Sequence, residues 1–153
     1  MGKPVSQTYR LSTTFNAPVD YVFDWCTDFR EDDPQKYLGS KNTRKILEKT
    51  AERVVWVVRF KEGKGFEEGV RAVWLHPHKA WHLDTCGDGR EVGDYKLTPL
   101  GKSKTRLDMK FVVTYDSPDE VEDKKEWEGD GKKHWAIYKT ALEADFKAGR
   151  PAS

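Results

Sequence analysis

The sequence predicts an α+β domain in which a curved antiparallel sheet of about seven strands wraps around one long C-terminal helix, with a short helix pair after the first strand. Two observations carry this expectation. From Thr43 to Tyr115 the chain is almost continuously strand-like and broken by tight turns. Consecutive strands joined that closely pair antiparallel, since a parallel pair needs a crossover of about a dozen residues or more. After Asp116 the pattern changes to charged helix carrying one apolar stripe, and that stripe and the inner face of the sheet are the large apolar surfaces available to cover each other.

The first strand is YRLSTTF, where Tyr9, Leu11, Thr13 and Phe15 alternate with Arg10, Ser12 and Thr14. Asn16-Ala17-Pro18 then supplies a capping residue and a first-turn proline, and Val19, Val22, Phe23 and Cys26 recur at helical spacing. The polar stretch FREDDPQKYLGSKN reads as a broken helix or loop. Six strands follow: TRKILEK, RVVWVVRF, FEEGVRAVWLH, AWHLDTC, REVGDYKLTP and TRLDMKFVVTY. The last alternates most clearly, with Leu107, Met109, Phe111, Val113 and Tyr115 on one side.

Ser117-Pro118-Asp119-Glu120 has the form of a capping box and predicts a helix start near Pro118. Gly129 and Gly131 should weaken or kink this helix by roughly 1 kcal/mol each relative to alanine. Beyond them Trp135, Tyr138, Leu142 and Phe146 fall on one stripe. The 153 residues fit a single domain, with a core from about 8 to 148 and a short tail, 149–153, expected to be disordered.

Composition narrows the partners. Lys and Arg number 27 against 26 Asp and Glu, so a net charge of +1 provides no long-range attraction to nucleic acid or anionic lipid. Six Trp, seven Phe and six Tyr make an aromatic interior feasible in a chain with 35% charged residues. Cys26 and Cys86 form no CxxC pair, and the N-terminal residues lack the apolar run of a signal peptide, so a reduced, cytoplasmic protein without a membrane span is expected. A monomer or weak homodimer, with no nucleic acid, no metal and no cofactor, completes the expectation.

The opening TTFNAPVDYVFDWCTDF resembles the strand-proline-helix entry of the START-like (SRPBCC) superfamily, and VRAVWLHPHKAWHLDT resembles its strand-turn-strand with a Pro-centred turn. With the long closing helix, the resemblance covers residues 8 to 148. It implies the helix-grip fold shared by major pollen allergens, lipid-transfer domains and polyketide cyclases, with an apolar cavity between sheet and helix. On that expectation an apolar ligand touches Trp56 and Val58 in one strand, Ala72 and Trp74 in the next, then Trp81 and Leu83, Tyr95, and Met109 and Phe111. Trp135, Tyr138 and Leu142 of the helix close the cavity. A second reading has the same tryptophans fill the space as core, while small Ala72, Gly69 and Gly93 favour an open one. The resemblance also implies two alternatives to ligand binding: a polyketide cyclase or dehydratase, and a protein-interaction module.

The segment WLHPHKAWH places His76, His78 and His82 within seven positions, which raises zinc. A four-residue loop, Pro77 to Ala80, sets His76 opposite Trp81 and throws His82 onto the other face, so the trio diverges and Trp74 and Trp81 point inward together. A one-residue change of register reverses this. Cys26 reads as a packed thiol. Asp84, Glu67, Asp94 and His134 are candidates for acid–base work if one points inward near Tyr95, and His134 lies one residue from the inward stripe. Gly129 and Gly131 are also readable as a hinge that moves the start of the helix, with Trp127 as a plug.

Overall fold

The computed structural model describes residues 3–32, 42–62, 65–85 and 91–153. The elements are β1 (Val5–Phe15), α1 (Val19–Thr27), β2 (Thr43–Lys49), β3 (Arg53–Glu62), β4 (Gly65–His76), β5 (Ala80–Asp84), β6 (Glu91–Pro99), β7 (Thr105–Tyr115), a single 3₁₀ turn (Pro118–Glu120) and α2 (Lys124–Lys147). All seven strands form one antiparallel sheet in the order β1-β7-β6-β5-β4-β3-β2. β2 to β7 therefore run as a meander, and β1 closes against the last strand. The fold class is as the sequence predicts. The second member of the expected helix pair falls mainly on residues 33–41, outside the described residues.

Alternation decides which face is covered. In β7 Thr105, Leu107, Met109 and Phe111 are buried while Arg106, Asp108 and Lys110 are exposed. The register carries this face across to Tyr9 and Leu11 of β1 and to Tyr95 and Leu97 of β6. Thr105 donates its hydroxyl to the carbonyl of Ala17 (2.9 Å) in the interior, which fixes the entry of α1 against the start of β7.

Helix α2 runs unbroken from Lys124 through Gly129 and Gly131 to Lys147, so the expected kink is absent. A Cβ at position 131 would lie 2.6 Å from Leu11 Cδ1, well inside contact distance, so Gly131 is where the helix backbone rests on β1. The hinge reading therefore gives way to a packing role. One turn earlier Trp127 stacks on Tyr9, with ring centroids 4.3 Å apart and planes 13° from parallel, a contact worth about 1 kcal/mol beyond its buried area. Tyr9 in turn donates to the carbonyl of Glu122 (2.9 Å), which makes Tyr115 the donor in the 2.8 Å contact between the two hydroxyls.

The helix start is also corrected. Glu120 does accept a hydrogen bond from the Asp116 amide (3.2 Å), but Ser117 makes no side-chain cap and Val121 is extended, so only a 3₁₀ turn forms at Pro118. The cap of α2 is Asp123, whose carboxylate accepts the Glu126 amide at 3.1 Å. At the other end Gly149, at φ 70°, lets the chain turn back, and Tyr21 donates to the Arg150 carbonyl (2.9 Å). Arg150 also pairs with Asp145 of α2 at 3.0 Å.

The two glycines of α2 have opposite consequences. Gly129 meets nothing within 4 Å, so Gly129→Ala is expected to raise the urea midpoint by an amount equivalent to about 0.5–1 kcal/mol. Gly131→Ala is expected to lower stability by roughly 1–2 kcal/mol, because overpacking against buried Leu11 exceeds the gain in helix propensity. Equal stabilisation by both substitutions would show that the close approach does not exist.

Candidate functional site

A cavity of about 520 Å³ lies between the concave face of the sheet and helices α1 and α2. It exists because α2 is held against β1 at Gly131 and Tyr9, so the helix does not settle onto the middle of the sheet. The concave face there carries Trp56 of β3, Trp81 and Leu83 of β5, and Tyr95 of β6. Trp81 and Tyr95 sit directly opposite each other in the register and stack at 5.0 Å and 9°. Phe111 meets Tyr95 edge-on at 5.6 Å, and the phenyl ring fills the space that Gly93 leaves, its atoms 3.0 Å from where a Cβ would stand. From the helices come Trp25, Trp127, Trp135 and Tyr138. Five of the six tryptophans thus face one space. These rings are large and stiff, and they line the space without closing it.

Polar groups enter this wall at few points. Tyr95 is half-buried, and desolvation of its phenol, helped by nearby Glu91, Tyr138 and Cys26, holds it well above the ordinary value. It is therefore a neutral hydroxyl. Burial also pushes the Cys26 thiol far up, which leaves it protonated and unsuited to nucleophilic attack. His134 joins the lining from α2, with its ring 5.1 Å from that of Tyr138. The residue keeps an exposed side, and partial desolvation at the wall lowers its pKa below the ordinary value, which favours the neutral imidazole.

Charged side chains collect toward the end where β2 and β6 begin. Asp28, Arg30 and Arg44 lie on one side, and Glu91, Glu122 and Asp130 on the other. Burial raises Asp28, but hydrogen bonds from Lys49 (2.9 Å) and Arg30 outweigh it and hold the carboxyl below its usual range. Arg44 lies over two stacked rings, 4.7 Å from Trp56 and 5.7 Å from Phe29, and donates to the Arg30 carbonyl at 3.1 Å.

Seven of the twelve residues named from the sequence border this cavity: Trp56, Trp81, Leu83, Tyr95 and Phe111 from the sheet, Trp135 and Tyr138 from the helix. Five do not. Met109 and Leu142 are buried in the core, and Val58 faces inward but packs at the edge, opposite Arg44. Ala72 and Trp74 are on the convex face. The β4–β5 loop has three residues, Pro77 to Lys79, with His78 and Lys79 both left-handed, so His76 pairs with Ala80, Leu75 with Trp81, and Trp74 with His82. That one-residue difference sends Arg71, Val73 and Leu75 inward and carries Trp74 outward.

The same register settles the histidines and the carboxylates. His76 and His82 share the outer face after all, but His82 pairs with Asp94 at 2.7 Å, and no cluster of three ligands suited to a metal occurs among the described residues. Asp84 and Asp94 also point outward, while the Glu67 side chain and Cys86 lie outside the described residues. Room expected from Gly69 is taken up by the Arg71 guanidinium, 2.8 Å from where a Cβ would stand. The residues that sequence reading missed include Leu11, Trp25, Cys26, Phe29, Arg44 and Glu91. Arg44 had a signal in TRKILEK, where alternation sets it on the same side as Ile46.

A curved seven-stranded antiparallel sheet, a long C-terminal helix gripped along one edge and a short helix after β1 are shared with a group of solved structures. Its fold is the START-like helix grip. The Zhui aromatase/cyclase of a Streptomyces species matches with a TM-score of 0.68 at 15% identity, over 92% of this chain and 93% of that one. A START superfamily protein of Mycobacterium smegmatis gives 0.66 at 19% identity, covering 94% and 99%. Norcoclaurine synthase of Thalictrum flavum, in complex with dopamine and hydroxybenzaldehyde, gives 0.66 at 11%, covering 93% and 87%. No family model and no curated protein matches the sequence. No helix among the described residues is long and apolar enough to cross a membrane.

The imidazole of His134 is expected to titrate by NMR with a midpoint below 6.5. The folded state favours the neutral ring, so stability from this group is complete above the ordinary histidine value and falls as the pH drops below it. His134→Gln should flatten the dependence of Tm on pH in that window. A midpoint at or above 6.5 would place the ring in water rather than in the wall.

Proposed function

We propose that this protein binds a hydrophobic, aromatic small molecule in the cavity between the sheet and α2. The observation that carries the reading is a space of about 520 Å³ faced by five tryptophans and by the hydroxyl-bearing rings of Tyr95 and Tyr138. That volume is in the range of drug-sized ligand sites, roughly 300–1,000 Å³. Flat rings offer stacking to a planar guest, and neutral phenols offer hydrogen bonds to one or two polar substituents. The dopamine and hydroxybenzaldehyde bound by the norcoclaurine synthase of this fold are guests of that kind.

A second reading makes the site a cyclase- or dehydratase-type enzyme. The observation in its favour is His134, a neutral imidazole beside Tyr138 in the cavity wall and so able to accept a proton from a bound molecule. The aromatase/cyclase of this fold is consistent with it. The two readings part on whether a bound molecule leaves unchanged. Identical mass spectra of an extracted ligand before and after incubation with wild-type protein and with His134→Gln support binding alone.

Binding is tested with N-phenylnaphthylamine, a neutral aromatic probe. Saturable energy transfer from tryptophan is expected, since five donors border the cavity. Leu83→Trp should fill part of the space and weaken the probe about tenfold or more, by loss of contact area and clash. Trp74→Phe should leave the affinity within about twofold, because Trp74 is on the opposite face. A probe that shows no saturable transfer, or that responds to Trp74 and ignores Leu83, would overturn the reading.

A further inference from the structure

We infer that the hydroxyl of Tyr95 donates to an uncharged acceptor on the guest, so that the cavity selects aromatic carbonyl compounds over hydrocarbons of the same shape. The inference rests on the binding reading above and names the group on the guest that this site distinguishes. Alternation in β6 sets Tyr95 on the concave face, opposite Trp81, where it borders the cavity. Its hydroxyl is hydrogen-bonded to no described residue. Nor is it sealed in, because no enclosed side-chain oxygen or nitrogen among the described residues lacks a partner; the oxygen opens onto the cavity. Tyr9 differs, its hydroxyl being engaged by both Tyr115 and the Glu122 carbonyl.

The ring that carries this hydroxyl is held on three sides. Trp81 stacks on it at 5.0 Å, Phe111 meets it edge-on at 5.6 Å, and Trp135 of α2 lies 6.2 Å away. Gly93 makes the grip possible: Tyr95 Cε2 and the Phe111 ring lie 3.1 and 3.0 Å from where a Cβ would stand there. The donor is thus placed before a guest arrives, and binding costs little ordering. Water can serve the hydroxyl in the free protein. A hydrocarbon guest that displaces the water leaves the hydroxyl unpaired, whereas a carbonyl at the same point restores the bond. The surrounding wall favours an acceptor as well. The indole N–H groups of buried Trp56 and Trp81 are hydrogen-bonded to no described residue, and an indole N–H can only donate.

The test compares 9-fluorenone with fluorene, flat tricyclic molecules that differ by a carbonyl in place of a methylene. Each is used to displace N-phenylnaphthylamine from wild-type protein and from Tyr95→Phe, which keeps the stacked ring and removes the hydroxyl. The ratio of fluorenone to fluorene affinity is expected to fall roughly fivefold or more in Tyr95→Phe, as loss of the partner of a desolvated carbonyl implies. Infrared difference spectra supply a readout that packing alone does not move. The carbonyl stretch of fluorenone bound to wild-type protein should lie below its value in alkane, a comparison that needs no variant, and should return toward that value in Tyr95→Phe. Suppose N-phenylnaphthylamine binds saturably but the ratio is unmoved, the wild-type stretch matches that in alkane, or the lowered stretch persists in Tyr95→Phe. Any of these results overturns the assignment to Tyr95 while the binding reading stands. If neither N-phenylnaphthylamine nor the two tricyclic molecules bind the wild-type protein saturably, both fail.

Discussion

Position 131 has no side chain, and the arrangement of the rest follows from that. The backbone of α2 comes within contact of Leu11 there, which lets a 24-residue helix lie along the β1 side of the sheet. The Tyr9–Trp127 stack and the Tyr9–Glu122 hydrogen bond hold the approach one turn earlier. Farther along, carboxylates of the helix accept amides of the edge: Glu128 takes Arg10 N and Glu143 takes Asn16 N, each at 2.8 Å, while Lys139 donates to the Thr14 carbonyl. Two outward backbone groups of β1 and the amide that follows it are thereby satisfied, and that part of an edge that would otherwise offer itself to another strand is covered. With the helix committed to the edge, the concave surface over β3 to β6 is left to side chains alone.

Those side chains are mostly rings, and rings stack on one another in preference to collapsing into the remaining volume. A connected series runs from Trp127 through Phe111, Tyr95 and Trp81 to Phe23, and from Tyr95 through Trp135 to Tyr138. Each contact fixes the tilt of the next ring, so the wall is stiff and the cavity keeps its shape. Within it the titratable groups that burial governs, Tyr95, Cys26 and His134, are all pushed toward their neutral forms. Charge is confined to the end where β2 and β6 begin, with cations at β2 and carboxylates at β6 and beside α2. The site is therefore mostly aromatic and uncharged inside and charged at one end.

Much of the fold was legible because alternation and turn chemistry are local. TRLDMKFVVTY could bury only one of its faces, and the tight turns between strands left antiparallel pairing as the available solution. The site was legible where one face of a strand carried the larger apolar side chains and the other a charge, as with Trp56 against Arg59 in RVVWVVRF and Trp81 and Leu83 against Asp84 in AWHLDTC. It failed in VRAVWLH, where Val70, Ala72 and Trp74 form a better apolar set than Arg71, Val73 and Leu75. The structure turns the second set inward, and Arg71 folds its guanidinium over Gly69. The loop decided this. Lys79 takes a left-handed conformation while its carbonyl accepts Leu97 N at 3.0 Å and its ammonium reaches Asp20 at 3.3 Å, so contacts with β6 and α1 set a three-residue turn.

The sequence by itself determined the class of fold, the order of elements and an interior made of aromatic rings, since each depends on periodicity and composition that adjacent residues carry. Tertiary structure alone decided three things. It made Gly131 a point of contact where the sequence reads as a hinge, because the partner atom belongs to Leu11, 120 positions earlier. It turned Trp74 out and Arg71 in, because one residue of loop length reverses every side chain of a strand. And it brought Arg44, Phe29 and Trp56 together, because the pairing of β2 with β3 and the path of the chain after α1 are both needed to place a cation against those two rings.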